Sequence, residues 1–360
     1  MFSLKKLVLL LPLNKQIGKR NADYQVIRDM KITHVLTRFD PDSNPGGVER
    51  VVDELTQRQK DKHEIEIICR NQFGDDSREE RDGVTIKRAE CRDVSGLRTI
   101  TAIPTMRELI QNSEAEIYHI HDWSPFINYT IAGSPKRSIL TLHNREEKGA
   151  GHFLQDFCIN RADIVTGVSK EVTSSLEDAF TVSNGTDTDK FRPLPREENY
   201  YVFVGNLVPG KGIEELAKVW NQDMPNLKII GDGDLANKLQ DEKSSNTELM
   251  GKLNHDKVAE IMAKSKGLIH PTRDEGFGLV IAESLASGRP VLTTETGIGN
   301  ELISDHGIII SPEYDQAELR KAIEEFITRE YNEEELRKYA ENNFSWRQIC
   351  EDYDELYEKV

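Results

Sequence analysis

From Met30 onward the chain alternates short apolar runs with segments of helical spacing, and it does so twice. In the first series "KITHVLT", "EIEIICR", "EIYHIHD", "RSILTLHN" and "ADIVTGVS" read as strands, with "GGVERVVDELTQRQ" and "LRTITAIPTMRELIQN" as helices between some of them. Strands that alternate with helices pair in parallel and are covered on both faces. The polar, Pro-bearing stretch "NGTDTDKFRPLPREEN", Asn184 to Asn199, breaks the pattern and reads as a linker. A second series follows in "YYVFVGN", "LKIIGDG", "TELMGKL", "KGLIHP", "PVLTTE" and "GIIISP", and the tail from Asn332 holds two helical stretches. A chain of 360 residues exceeds one core of about 150 to 200 residues. The expected fold is therefore α/β, two doubly wound domains whose facing strand ends form a cleft, since ligands of open parallel sheets bind at those ends.

Composition narrows the function. A formal charge of −16 argues against nucleic acid as a partner, which needs a basic face. The cysteines, Cys69, Cys91, Cys158 and Cys350, have neither metal nor redox spacing and read as buried thiols of a reducing, cytoplasmic compartment. Residues 1–29 read as an appendage outside the fold, with Met30 as a natural start. Its apolar run from Leu7 to Leu13 is far shorter than the roughly 20 residues of a membrane span. It resembles a signal-peptide core but lacks a small-residue cleavage site, and a membrane-surface anchor is the remaining alternative.

The chemistry concentrates in "RDEGFGLVIAESLASGRP", Arg273 to Pro290. Glu275 and Glu283 lie eight positions apart, about 12 Å if all were helix. That exceeds the roughly 5 to 5.5 Å of the carboxylate pair in a retaining glycosidase. The apolar spacing of Leu279, Ala282, Leu285 and Ala286 instead puts Glu275 on a strand-end loop and Glu283 one turn inside a helix. Helical side chains lean toward the amino terminus, so Glu283 is expected to reach the cavity that Glu275 borders. Gly276 and Gly278 permit close backbone approach at a helix start, where free amides bind phosphate. The alternative is a routine strand-loop-helix with solvated acids.

A carboxylate, seven residues and a second carboxylate within "EGFGLVIAESLASGRPVL" resembles the signature of retaining glycosyltransferases of the GT-B fold, glycosyltransferase family 4 (glycosyl transferases group 1). "NPGGVERVV", "YHIHD", "LTLHN", "ADIVTGVS", "NGTDTDKFRP", "FVGNLVPGKGIEEL", "IIGDGDL", "MGKL" and "FSW" fall in the family's order, so the resemblance runs from Met30 to the carboxyl terminus. It implies an acceptor-side Rossmann-like domain over 30–190, a nucleotide-sugar domain over 191–340, and a helix over 341–360 that returns to the first domain. It implies transfer of a hexosyl unit, with retained configuration, from a nucleotide diphosphate sugar to a hydroxyl of a glycan, lipid-linked or small-molecule acceptor. The sugar nucleotide is a co-substrate; no cofactor and no metal are expected. A lipid-linked acceptor would add peripheral contact at the inner face of the membrane.

By the same resemblance Glu275 holds sugar hydroxyls, Glu283 holds the ribose, and Phe277, Gly278 and Leu279 offer amides to sugar and diphosphate. Lys211 in "GNLVPGKG" neutralises the departing diphosphate, or is a surface lysine. The family usually carries arginine where this chain has Asn206, and Arg273 is a candidate substitute or a solvated loop residue. Gly46 and Gly47 let the first domain close over the sugar phosphate, or serve a turn of positive φ. Gly251, Lys252 and Leu253 would hold the base through backbone groups. His121 is expected near the donor sugar, and His119 in the core. The pair could bind metal, but no third ligand is evident. His143 and Asn144 are expected on the acceptor side. The alternatives are a non-catalytic nucleotide-sugar-binding subunit, motivated by Asn206, and an epimerase or phosphorylase on the same fold.

Overall fold

The computed structural model describes residues 29–41, 46–71, 74–92, 98–121, 137–146, 149–195 and 199–360; apart from Asp29, the expected appendage lies outside them. The first sheet contains β1 (Lys31–Val35), β2 (Glu64–Arg70), β3 (Arg78–Arg81), β4 (Val84–Ala89), β5 (Ile117–Ile120), β6 (Arg137–Leu142), β7 (Ile164–Gly167) and β8 (Phe180–Thr181). Their order is β3-β4-β2-β1-β5-β6-β7-β8, parallel throughout except for β3 against β4. The second sheet contains β9 (Tyr200–Val204), β10 (Asn226–Ile230), β11 (Thr247–Gly251), β12 (Leu268–His270), β13 (Val291–Thr294) and β14 (Gly307–Ile310), in the order β11-β10-β9-β12-β13-β14. Helices α1 (Gly47–Gln59), α2 (Arg98–Asn112), α3 (Gly149–Ile159) and α4 (Lys170–Thr173) accompany the first sheet. With the second go α5 (Ile213–Val219), α6 (Ala236–Glu242), α7 (His255–Lys264), α8 (Leu279–Ala286) and α9 (Gln316–Thr328), followed by α10 (Glu333–Phe344) and α11 (Trp346–Lys359).

The apolar runs become strands because they are covered on both faces: β5 and β13 are buried along their whole length, as parallel strands under helices must be. The sequence reading missed the β3–β4 hairpin. Its turn is Asp82–Gly83, with φ of 49° and 84°, the left-handed pair that a tight hairpin of this twist requires.

The last helix fastens the first domain. Ser345 caps α11 by accepting from the Gln348 amide, and Trp346, Ile349, Tyr353, Leu356 and Tyr357 form its buried stripe against α1 and the first sheet. Trp346 lies over the chain at Gly185, where a Cβ would fall 2.2 Å from the indole, so only glycine fits there. The stripe also carries polar contacts into the sheet. The Tyr357 hydroxyl accepts from Gln59 Nε2 at 3.0 Å and meets His119 Nδ1 at 2.7 Å, while Tyr353 meets Thr141 at 3.2 Å. Asp354 accepts from His63 at 3.0 Å and Lys62 at 2.6 Å.

Tyr357→Phe leaves Gln59 and His119 with unmade hydrogen bonds in a dry place. It should cost on the order of 2 kcal/mol, read as a lower urea midpoint with unchanged slope. An unchanged midpoint would show that the hydroxyl contributes nothing.

Candidate active site

Each sheet reverses its strand order at one point, between β1 and β5 and between β9 and β12. Such a switch point opens a crevice at the carboxyl ends of the strands, and the sequence places its unusual residues at both.

In the second domain, β9 runs into the loop from Gly205 to Gly212 and β12 into the loop from Pro271 to Gly278. Backbone bonds join the loops: Arg273 N–H donates to the Gly210 carbonyl at 2.8 Å. Gly212 has φ of 70°, and a Cβ there would fall 2.0 Å from the Pro271 carbonyl oxygen, so the approach demands glycine. The closeness brings Lys211 Nζ to Glu275 Oε2 at 2.8 Å, with His270 Nε2 at 3.6 Å from the same oxygen. Burial alone would push the Glu275 carboxyl up, but His270 and Lys211 overcome it and hold it at about 2. Glu275 is therefore an ionised acceptor at neutral pH. Beside it Gly278, with φ of 94°, opens α8, while the Phe277 ring is buried and its carbonyl accepts from Ile298 N–H. Leu279 is half-buried at the first turn.

Glu283 lies one turn further on and is nearly sealed from solvent. Its Oε1 takes Arg50 Nη2 from α1, across the cleft, at 2.7 Å and His255 Nε2 from the start of α7 at 3.2 Å. Burial acts to raise this carboxyl, and the Arg50 guanidinium together with the neighbouring His255 ring more than reverses it. Glu283 lines a cavity of about 20 Å³ with Arg50, His255, Leu279, Phe191 and Trp346. Glu275 does not line it, so the two glutamates serve different neighbours.

In the first domain, β1 and β5 pair with His34 opposite His119. His34 Nε2 meets Gln59 Oε1 at 3.0 Å, His34 Nδ1 meets His121 Nε2 at 2.9 Å, and His121 Nδ1 meets His143 Nε2 at 3.4 Å. The Gln59 amide orientation sets the polarity of this row. With Nε2 given to Tyr357 and Oε1 to His34, neutral His34 accepts at Nδ1, His121 donates from Nε2, and His143 donates to His121. His143, half-buried, is left with an accepting Nδ1 at the open end. Burial pushes His34 down to about 3 and His143 to about 4, and holds His119 and His121 well below an ordinary imidazole.

These positions revise several expectations. His34 supplies the third histidine that the sequence reading found missing: His34, His119 and His121 bring nitrogens within 4.8 Å of one another. Those nitrogens are all engaged already, His119 with Tyr357 and Thr141 and the others along the row. His121 is buried with both ring nitrogens used, one toward His34 and one toward His143. Gly46 has φ of −70° and Gly47 is not among the positive-φ residues, which removes the turn explanation; a Cβ on Gly47 would meet open space. Arg273 is neither freely solvated nor unengaged. It donates to the Pro312 and Tyr314 carbonyls at 2.7 and 3.2 Å and to Glu215 at 3.3 Å, far from a free role. Asn206 is exposed at the end of β9. Gly251, with φ of 67°, ends β11 beside open space, and Leu253 is half-buried after it. Asn144 is exposed, and its carbonyl accepts from Gln155. Arg50, His255, His270, His34 and Gln59 were not singled out from the sequence.

The histidine row makes stability pH-dependent. Unfolded imidazoles gain protons below about 6.5, whereas the folded ones stay neutral to about 4 or lower. The stabilisation is complete above the unfolded value and falls as pH drops through that window, on the order of 1 kcal/mol per pH unit per histidine. Urea midpoints should decline steadily from pH 7 to 5; a flat profile would contradict neutral burial.

The family described as Glycosyl transferases group 1 matches residues 186–344, and Glycosyltransferase Family 4 matches residues 45–190. An uncharacterized glycosyltransferase of Methanocaldococcus jannaschii is 27% identical over 340 residues, 88% of this chain and 95% of that protein. Among solved structures, sucrose-phosphate synthase from Thermosynechococcus elongatus aligns with TM-score 0.77 at 18% identity, over 92% of this chain and 98% of that one. Anabaena HepE in complex with UDP-glucose aligns with TM-score 0.73 at 16% identity, over 92% and 100%. Two facing parallel-sheet domains with opposed switch points, and these matches across both, place the chain in the group 1 glycosyltransferases of the GT-B fold.

Proposed function

We propose that this glycosyltransferase is a retaining hexosyltransferase, which moves a hexosyl unit from a nucleotide diphosphate sugar to a hydroxyl acceptor in glycan or glycoconjugate synthesis. The observation that carries the reading is the ionised Glu275, held by Lys211 and His270 next to the left-handed glycine that opens α8. A carboxylate of that kind accepts from sugar hydroxyls. The amides at Phe277, Gly278 and Leu279 take diphosphate oxygens, Gly46 and Gly47 admit the sugar phosphate from the other domain, and Glu283 takes the ribose. Gly251 and Leu253 hold the base through backbone groups. That HepE is known with UDP-glucose supports a sugar nucleotide as donor.

In the reaction the bond from the anomeric carbon to the distal phosphate oxygen breaks. The acceptor oxygen bonds that carbon on the same face, and the acceptor proton passes to the released phosphate oxygen. No dedicated base is needed. The barrier is set by charge on the departing diphosphate, where Lys211 and the helix-start amides act most strongly. His121 orients His143, which with Asn144 faces the acceptor. The acceptor is a glycan, a lipid-linked sugar or a small molecule; no described helix is long and apolar enough to cross a membrane. A non-catalytic donor-binding subunit is the second reading, favoured by the uncharged Asn206 and by an Arg273 committed elsewhere.

The test is turnover on uridine, guanosine and adenosine diphosphate sugars; binding without transfer or hydrolysis would favour the subunit. Glu275→Ala should lower kcat by about 100-fold or more, and Glu283→Ala should raise KM for the donor with a smaller effect on kcat. Wild-type rates in both variants would remove the assignment. Chelation of divalent ions should leave the rate unchanged, because lysine and amides meet the leaving charge; loss restored by magnesium or manganese would contradict this.

A further inference from the structure

A sugar nucleotide carries its diphosphate charge into this cleft, yet most nearby cations are committed. Lys211 is bonded to Glu275, Arg273 to the 312–314 loop and Glu215, and the end of β9 offers only the neutral Asn206. Arg50 differs. It rises from the first turn of α1, its side chain is 37% exposed, and among the described residues its guanidinium is bonded to Glu283 alone, through Nη2.

The cavity around this pair leaves little room beside it. A space of about 20 Å³ holds a single water and no ribose. A ribose hydroxyl that takes Glu283 Oε1 therefore competes with the Arg50 guanidinium already bonded there at 2.7 Å. His255 Nε2 stands 3.2 Å from the same oxygen and is the neighbour that remains to Glu283. Leu279, which lines the same cavity as Arg50, begins the helix whose amides suit phosphate. The planar fork of Arg50 matches two phosphate oxygens better than a lysine would.

We propose that Arg50 is a donor-binding residue that exchanges partners: the ribose takes over Glu283, and the released guanidinium pairs with the diphosphate. This rests on the glycosyl-transfer reading above and adds to Lys211 a second positive charge, from the first domain. It also makes α1, in the other domain, part of the donor site, so that diphosphate draws the two domains together.

Titration calorimetry of the nucleoside, monophosphate and diphosphate of uridine, guanosine and adenosine, with wild type and Arg50→Ala, tests it. The base series used is the one whose diphosphate binds the wild type most tightly. Arg50→Ala should weaken the diphosphate about tenfold or more. It should leave the nucleoside unchanged or tighter, because the ribose no longer competes with the guanidinium. A merely structural arginine would weaken both alike, and that result overturns the proposal, as does unchanged diphosphate affinity. Arg50→Lys, which keeps the charge without the fork, should recover part of the diphosphate affinity; a lysine variant as weak as alanine at an unchanged melting temperature would contradict the charge pairing. If none of the three diphosphates binds the wild type, the glycosyl-transfer reading falls, and this proposal with it.

Discussion

The structure depends on a backbone contact between the two domains at Gly276. A Cβ at that position would fall 2.1 Å from the His143 carbonyl oxygen, and the Gly276 carbonyl accepts from Ser169 at 2.9 Å. The loop that carries Glu275 is thus pressed against the strand end that carries His143, with no side chain between. Further contacts hold this alignment: Glu171 accepts from Gly297 N–H and Asn300, and Lys170 N–H donates to Glu301. One domain supplies an ionised carboxylate and a helix start, the other a row of neutral imidazoles, and the glycine sets the distance between them.

Burial is used in opposite ways on the two sides. In the first domain it strips protons from the histidines, which become a chain of donors and acceptors whose polarity follows from Gln59 and Tyr357. In the second it would protonate Glu275 and Glu283, and each is kept charged by cations brought from elsewhere in the fold. Glu275 finds its partners in its own domain, whereas Glu283 finds Arg50 across the cleft. That difference makes Glu283 the carboxylate whose partners come from both domains.

Much of this was legible in the sequence. Strand and helix alternation identified both sheets, because buried parallel strands are written as short apolar runs bounded by turn residues. The position of Glu275 on a loop and Glu283 inside a helix followed from apolar spacing. What stayed hidden depended on pairing between distant segments. "KITHV" and "EIYHI" each place one histidine next to the strand end, but only the register of β1 against β5 sets His34 beside His119. Arg50 is three residues beyond Gly47, and nothing local says that it reaches a residue 233 positions away. The Asp-Gly turn of the β3–β4 hairpin was present as a signal, yet a parallel-sheet pattern gives no reason to look for an antiparallel edge. Arg273 looked available because its partners, the carbonyls of Pro312 and Tyr314, lie on a loop forty residues on and leave no mark near it.

The central claim is that the facing strand ends transfer a hexosyl unit on one face of the anomeric carbon. Proton NMR of the transferred sugar, with the purified protein, a nucleotide diphosphate sugar and a hydroxyl acceptor, tests it most directly through the anomeric coupling. The account predicts a product with the same anomeric configuration as the donor. A product of inverted configuration would contradict it.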